Sequence, residues 1–320
     1  MKAGMRARSK LCLLLLVQIA CWGICPALSG PAFADPPQCQ LKQIMVLDTQ
    51  TGRDGRVAVP VSIENRPAYL VVDTGAAFST LDASFAKSIG LNAKQMQGGP
   101  VILGGGIRLQ QYAVAHSFKL GPLPSDHFGF VLAPSNVLES DSMGMLGTEV
   151  MSAFDIDLDF AGGKFSVFSQ DHCPGKVVYW TGGAYAAVPI ELDHNRHMTV
   201  SVVLDGKPFS VMLDTGAARS FMNFKAAKEI FGIDEENPHL KSLGERGING
   251  IVGVAAYRYP FSTLTLQGVE IRNPDIDIIK YPDTDHGESD LSLGISVLRQ
   301  LHIYIAYGEK MLYVTGAEAH

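Results

Sequence analysis

Apolar and polar residues alternate with a period of two in several short runs, and these runs recur in the same order in two halves of the chain. In the first half Val57 to Ile63 alternates as a strand does, a turn follows at Glu64-Asn65-Arg66-Pro67, and a second apolar run, Tyr69 to Val72, ends at Asp73. In the second half Met198 to Leu204 is the first strand, Asp205-Gly206-Lys207-Pro208 the turn, and Phe209 to Leu213 the run that ends at Asp214. Pro67 and Pro208 each stand six positions before their aspartate. Asp-Gly and Asn-x-Pro sequences between β-rich runs favour tight turns, so each half predicts a hairpin delivering an aspartate at its end.

A helical pattern follows each aspartate. Asp82 is placed to cap a helix bearing Phe85, Ala86 and Ile89 that stops at Gly90, and Asn223 to cap one bearing Ala227, Ile230 and Phe231 that stops at Gly232. The halves also end alike. Met143-Gly144-Met145-Leu146-Gly147 corresponds to Leu291-Ser292-Leu293-Gly294, and a short amphipathic stretch and a terminal hairpin follow each. From Gly147 to Phe160 is 13 positions, as from Gly294 to Tyr307. Matching order and spacing over this length mark an internal duplication. The polar, glycine-rich stretch from Gln170 to Ala187 reads as the connector between two lobes, 35–175 and 176–320.

Composition fits this picture. Of 320 residues 47% are hydrophobic and 18% charged, with 33 glycines, which suits a turn-rich, mainly β protein with a substantial core. Residues 1–34 read as an export signal: a positive start at Lys2, Arg6, Arg8 and Lys10, an apolar stretch from Leu11 to Trp22, and Ala32-Phe33-Ala34 as a small-x-small cleavage site. That predicts a periplasmic or extracellular protein. No second apolar run is long enough to span a membrane. The leader holds four of the 26 basic residues and no acidic one, leaving 22 against 32, a net of −10, which argues against nucleic-acid binding. It also holds three of the five cysteines. The remaining pair, Cys39 and Cys173, is a disulfide candidate in an oxidising compartment.

The two halves share their central run. One reads Asp73-Thr74-Gly75-Ala76-Ala77-Phe78-Ser79 and the other Asp214-Thr215-Gly216-Ala217-Ala218-Arg219-Ser220. An apolar strand ending in Asp-Thr-Gly-Ala-x-x-Ser resembles the active-site motif of aspartic peptidases, especially the retropepsin-like group. The later apolar-apolar-Gly elements resemble that group's second motif. The resemblance covers roughly residues 55–315 and looks like two retropepsin-like units fused in one chain. It implies a mainly β, two-lobed acid-protease fold with pseudo-twofold symmetry and short helices. It further implies an aspartic endopeptidase whose dyad is Asp73 and Asp214.

Two carboxylates within hydrogen-bonding distance share one proton. The pair can therefore take a proton from a trapped water while polarising a peptide carbonyl. By the same resemblance Thr74 and Thr215 bond across the lobe junction, Ser79 and Ser220 brace their own loops, and Gly75 and Gly216 admit the backbone close to the carboxylates. Flap hairpins over the cleft are expected at 98–106, including Gly104, Gly105 and Gly106, and at 244–253, including Gly247 and Gly250. Alanine at 76 and 217, where pepsin-like enzymes carry a hydroxyl, predicts a pH optimum less acidic than that of a gastric-type enzyme.

The expected partner is a peptide or protein substrate, handled without cofactor or metal by a single chain. Pairing of two chains is the alternative assembly. A non-catalytic peptide-binding protein of the same fold is the alternative function, and the presence of both aspartates argues against it. His194 and His197 are spaced for one helical face but sit in a polar turn, so they read as a surface loop. Ser79 and Ser220 have no partner histidine that would make them nucleophiles.

Overall fold

The computed structural model describes residues 40–103, 107–138, 142–248, 251–281 and 290–317. The predicted leader, 1–34, and Cys39 lie outside these residues.

Both predicted hairpins form. Val57–Ile63 pairs antiparallel with Arg66–Val72, and Met198–Leu204 with Lys207–Leu213. Their tips are the two-residue turns Glu64–Asn65 and Asp205–Gly206, with φ of 49°, 59°, 44° and 78°. Two successive positive φ values give the turn whose twist matches that of the flanking strands. The prolines stand inside the return strands, Pro67 opposite Ser62 and Pro208 opposite Val203, not in the turns. This is tolerated because the parallel neighbours of those strands begin only at Leu70 and Met212, so no ladder bond is lost to the missing N–H.

The aspartates are fixed by a crossing that repeats in both halves. Arg66–Val72 pairs parallel with Gly144–Leu146, which in turn pairs antiparallel with Thr80–Asp82. Lys207–Leu213 pairs parallel with Leu291–Leu293, which pairs antiparallel with Ser220–Asn223. Each aspartate loop is thus held between its own strand and a strand from far along the chain. The helices follow as expected. Asp82 accepts from the Phe85 N–H at 2.7 Å ahead of Ala83–Ser88, and Asn223 accepts from the Lys225 N–H at 2.9 Å ahead of Phe224–Phe231. Gly232, in the left-handed conformation at φ 69°, ends the second helix.

The terminal hairpins bind the halves together. Asp155–Asp159 pairs antiparallel with Leu301–Ala306, with Ile156 opposite Ile305 and Leu158 opposite Ile303. Lys164–Phe168 and Gln43–Asp48 extend this unit on one side, Met311–Gly316 and Ala186–Leu192 on the other. Alternation puts Ile156, Leu158, Ile303 and Ile305 into a core shared by both halves. Asp155, Asp157, His302 and Tyr304 fall on the opposite face, which the connector covers. Trp180 stacks on His302 at 4.4 Å, and the Tyr179 hydroxyl donates to Asp157 at 3.0 Å. The connector is therefore packed down, with Val177 fully buried, despite its polar composition. Among the described residues no helix is long and apolar enough to cross a membrane.

Candidate active site

Asp73 and Asp214, 141 positions apart, meet at the junction of the two halves, where their carboxyl groups hydrogen-bond to each other. Each is held at its N–H by a distant carbonyl: Asp73 donates to Leu146 and Asp214 to Leu293, both at 3.0 Å. The crossing of strands thus delivers both side chains to one point.

The threonines lock the junction. The Thr74 hydroxyl donates to the Leu213 carbonyl at 2.7 Å and accepts from the Thr215 N–H at 3.1 Å. Reciprocally, the Thr215 hydroxyl donates to the Val72 carbonyl at 2.6 Å and accepts from the Thr74 N–H at 3.0 Å. Both threonines are buried, so these four bonds form out of water, where an unmet partner is costly. Glycine is required next to each aspartate for a steric reason. A Cβ on Gly75 would lie 2.5 Å from Asp214 Cγ, and one on Gly216 would lie 2.2 Å from Asp73 Cγ. Ser79 and Ser220 tie the loop to the second motif, their hydroxyls accepting from the N–H groups of Gly147 and Gly294 at 2.9 Å each.

Burial pushes the Asp73 carboxyl well above the ordinary carboxylate range, and the charge of Asp214 raises it further. The Gly75 N–H, which Asp73 Oδ1 accepts at 2.9 Å, and the Arg56 guanidinium pull against this. Burial also raises Asp214, but its Oδ1 accepts from both the Gly216 and Ala217 N–H groups at 3.0 Å, which favours the ionised form. The pair is set up to hold one proton between two carboxyl groups, with Asp73 the better holder and Asp214 the better anion.

Four residues of this site were not singled out from the sequence for a role here. Arg56 is 6% exposed, paired with Asp54. It donates to the Leu138 carbonyl and, across the junction, to the Gly216 carbonyl, both at 3.1 Å. His197 occupies the matching place in the second half, paired with Asp193 at 3.0 Å and placed to favour charge on Asp214. Both stand 17 positions before their aspartate, so the repeat register was the signal. Glu149 and Ser296, each two positions after the second-motif glycine, accept the Ser79 and Ser220 N–H groups at 2.7 and 2.8 Å. Burial raises the Glu149 carboxyl above its ordinary range.

At the expected flap positions the structure has hairpins. Val101–Ile102 pairs with Arg108–Leu109, and Lys241–Ile248 with Ile251–Arg258. Gly247 lies in the second hairpin, while Gly104, Gly105, Gly106 and Gly250 lie outside the described residues. Among the described residues no group of three His, Cys, Asp or Glu side chains is arranged to hold a metal ion.

The family pattern described as "Aspartyl protease" matches this sequence twice, over residues 59–150 and 200–297, each copy spanning one aspartate and its second motif. No curated protein sequence matches the chain. Among solved structures, the crystal structure of basic 7S globulin from soybean aligns over 88% of this chain and 96% of its own, at 10% identity and a TM-score of 0.48.

Proposed function

The chain belongs to the aspartyl protease family, and from that premise we propose that it is an aspartic endopeptidase in which Asp73 and Asp214 activate one water against a peptide bond. The observation that carries this reading is the hydrogen-bonded carboxyl pair at the junction, Asp73 buried and Asp214 half-buried. In the resting state Asp214 is the carboxylate, supported by two backbone N–H groups, and Asp73 keeps the shared proton. Asp214 takes a proton from the water as its oxygen attacks the peptide carbonyl carbon, and Asp73 gives its proton to the carbonyl oxygen. The gem-diol then collapses: the C–N bond breaks, the nitrogen receives a proton from Asp214, and a hydroxyl proton returns to Asp73. The products are a carboxylic acid and an amine, and the dyad is restored.

Cleavage of casein and of a peptide library between pH 3 and 8 tests this. Asp73→Asn and Asp214→Asn should each lower the rate by about 10²–10⁴-fold while circular dichroism shows an intact fold. Variants cleaving at the wild-type rate would end the hydrolytic reading. The hairpins at 101–109 and 241–258 act as flaps in this scheme, and the lobes divide at 175/176. A single chain completes the dyad, so a monomer suffices.

Export and a Cys39–Cys173 bridge belong to the same reading. The two cysteines left once the leader is removed support the bridge, as an isolated pair in an oxidising compartment. Intact-mass and non-reducing peptide mapping of the exported protein should find a chain starting at Asp35 with those two cysteines joined. A chain that retains residues 1–34, or free thiols at both positions, would refute these points.

A further inference from the structure

The repeat breaks at the third residue after each Asp-Thr-Gly: Phe78 in the first half, Arg219 in the second. The difference extends across the sheet. In the first half Thr80 is followed laterally by Val131 and then Tyr112, beside an apolar cluster with Leu109, Ala133 and Leu138. In the second half the equivalent row is Phe221, Asp277 and Arg258. One half is therefore oily where the other is charged.

The charged half is built around Asp277, whose side chain is 3% exposed. It accepts from Arg219 Nε at 2.6 Å and Arg258 Nε at 2.8 Å, with Arg246 Nη1 further off at 3.8 Å. Asp275 accepts from Arg219 at 3.1 Å and also pairs with Arg258. Among the described residues three guanidiniums thus face two carboxylates, leaving one positive charge over. The arginine side chains are 32–41% exposed, so the surplus charge faces outward while its counterion Asp277 does not. Arg246, the loosest of the three, sits on the Lys241–Ile248 hairpin at a flap position. Arg246 meets Asp277 only at 3.8 Å, beyond hydrogen-bond length, and among the described residues no side-chain hydrogen bond holds it, so its guanidinium can turn to a bidentate carboxylate while Asp277 is served by its neighbours.

Position relative to the dyad follows from the sheet. Met212, two residues before Asp214, is followed laterally by Ser292, Phe221 and Asp277, three strand spacings of about 4.8 Å each, or ~14 Å. An extended peptide advances ~3.3 Å per residue, so this cluster meets a substrate side chain about three to five residues from the scissile bond.

We propose that Arg246, with Arg219 and Arg258, binds an acidic side chain of the peptide substrate on the side of the scissile bond served by the second half. This rests on the peptide-cleaving reading of the dyad. The arginine cluster is selective because the chain as a whole is acidic, at a net charge of −6, and repels such peptides, so a local positive cluster fixes their register as well as their affinity.

The test uses apolar octapeptides carrying a single Glu, Gln or Lys walked through every position, assayed for cleavage by the wild type and for binding by the Asp73→Asn variant. At one position, three to five residues from the cut, Glu should be favoured over Gln by about tenfold and Lys disfavoured. Arg246→Gln should remove the preference and Arg246→Glu should reverse it toward Lys. Cleavage that ignores charge at every position, or a preference unchanged in Arg246→Glu, would overturn the cluster's role and leave the dyad untouched. Binding that depends on Arg246 without any cleavage by the wild type would instead support the cluster and overturn the hydrolytic reading.

Discussion

The threonine lock gives the sharpest quantitative test of the junction. Thr74→Val keeps the shape and volume of a buried side chain and removes only its hydroxyl. The Leu213 carbonyl then loses a donor at 2.7 Å and the Thr215 N–H loses an acceptor at 3.1 Å, both in a buried environment. Each orphaned group costs about 1–3 kcal/mol, so a loss of about 2–6 kcal/mol in unfolding free energy is expected. Because the two threonines form one reciprocal network, Thr215→Val should cost about as much. The double variant should cost less than the two together by about 0.5–3 kcal/mol, since the two hydroxyls serve different groups of one junction and the first deletion already loosens the geometry that the second pair of bonds needs. Urea unfolding with peptide-cleavage rates on the same preparations reads both effects, and Thr74→Ser should restore most of each. A single Thr74→Val variant within about 0.5 kcal/mol of wild type and fully active would refute the claim that these bonds hold the dyad together.

Two further predictions concern the carboxyl pair. Asp73 holds its proton more tightly folded than unfolded, so its contribution to stability is lost as pH rises from about 4 through its raised folded value. Asp73→Asn should therefore gain stability relative to wild type as pH climbs across that window, with the difference closing below about pH 4; parallel pH–stability curves would contradict the burial-driven shift. Gly216→Ala forces a Cβ to within 2.2 Å of Asp73 Cγ and should abolish cleavage with a loss of about 1–3 kcal/mol, and unchanged activity would rule out the close approach.

Much of this architecture was legible in one dimension. Alternation marked Val57–Ile63 and Met198–Leu204 as strands because one face of each packs into the core and the other does not. Asp82 and Asn223 announced their helices because a side-chain oxygen there meets an otherwise unpaired N–H. The duplication, with its two Asp-Thr-Gly-Ala runs, pointed to a shared site. The turn prolines were placed one step early, since the local sequence does not reveal that the neighbouring strand begins only at Leu70 or Met212.

What the chain order alone determined was the repeat: its strands, its caps, the identity of both aspartates, and the glycine beside each. These depend on neighbours a few residues apart, whose geometry the local sequence dictates. Only the folded molecule decided which carbonyls receive Thr74 and Thr215, that Arg56 reaches the Gly216 carbonyl, and that Glu149 in one half does the work of Ser296 in the other. The same holds for the Arg219–Asp277–Arg258 cluster, which joins residues up to 58 positions apart. Such contacts arise where strands cross between distant segments, and the energy of a buried polar or charged group is set by the partners it meets there.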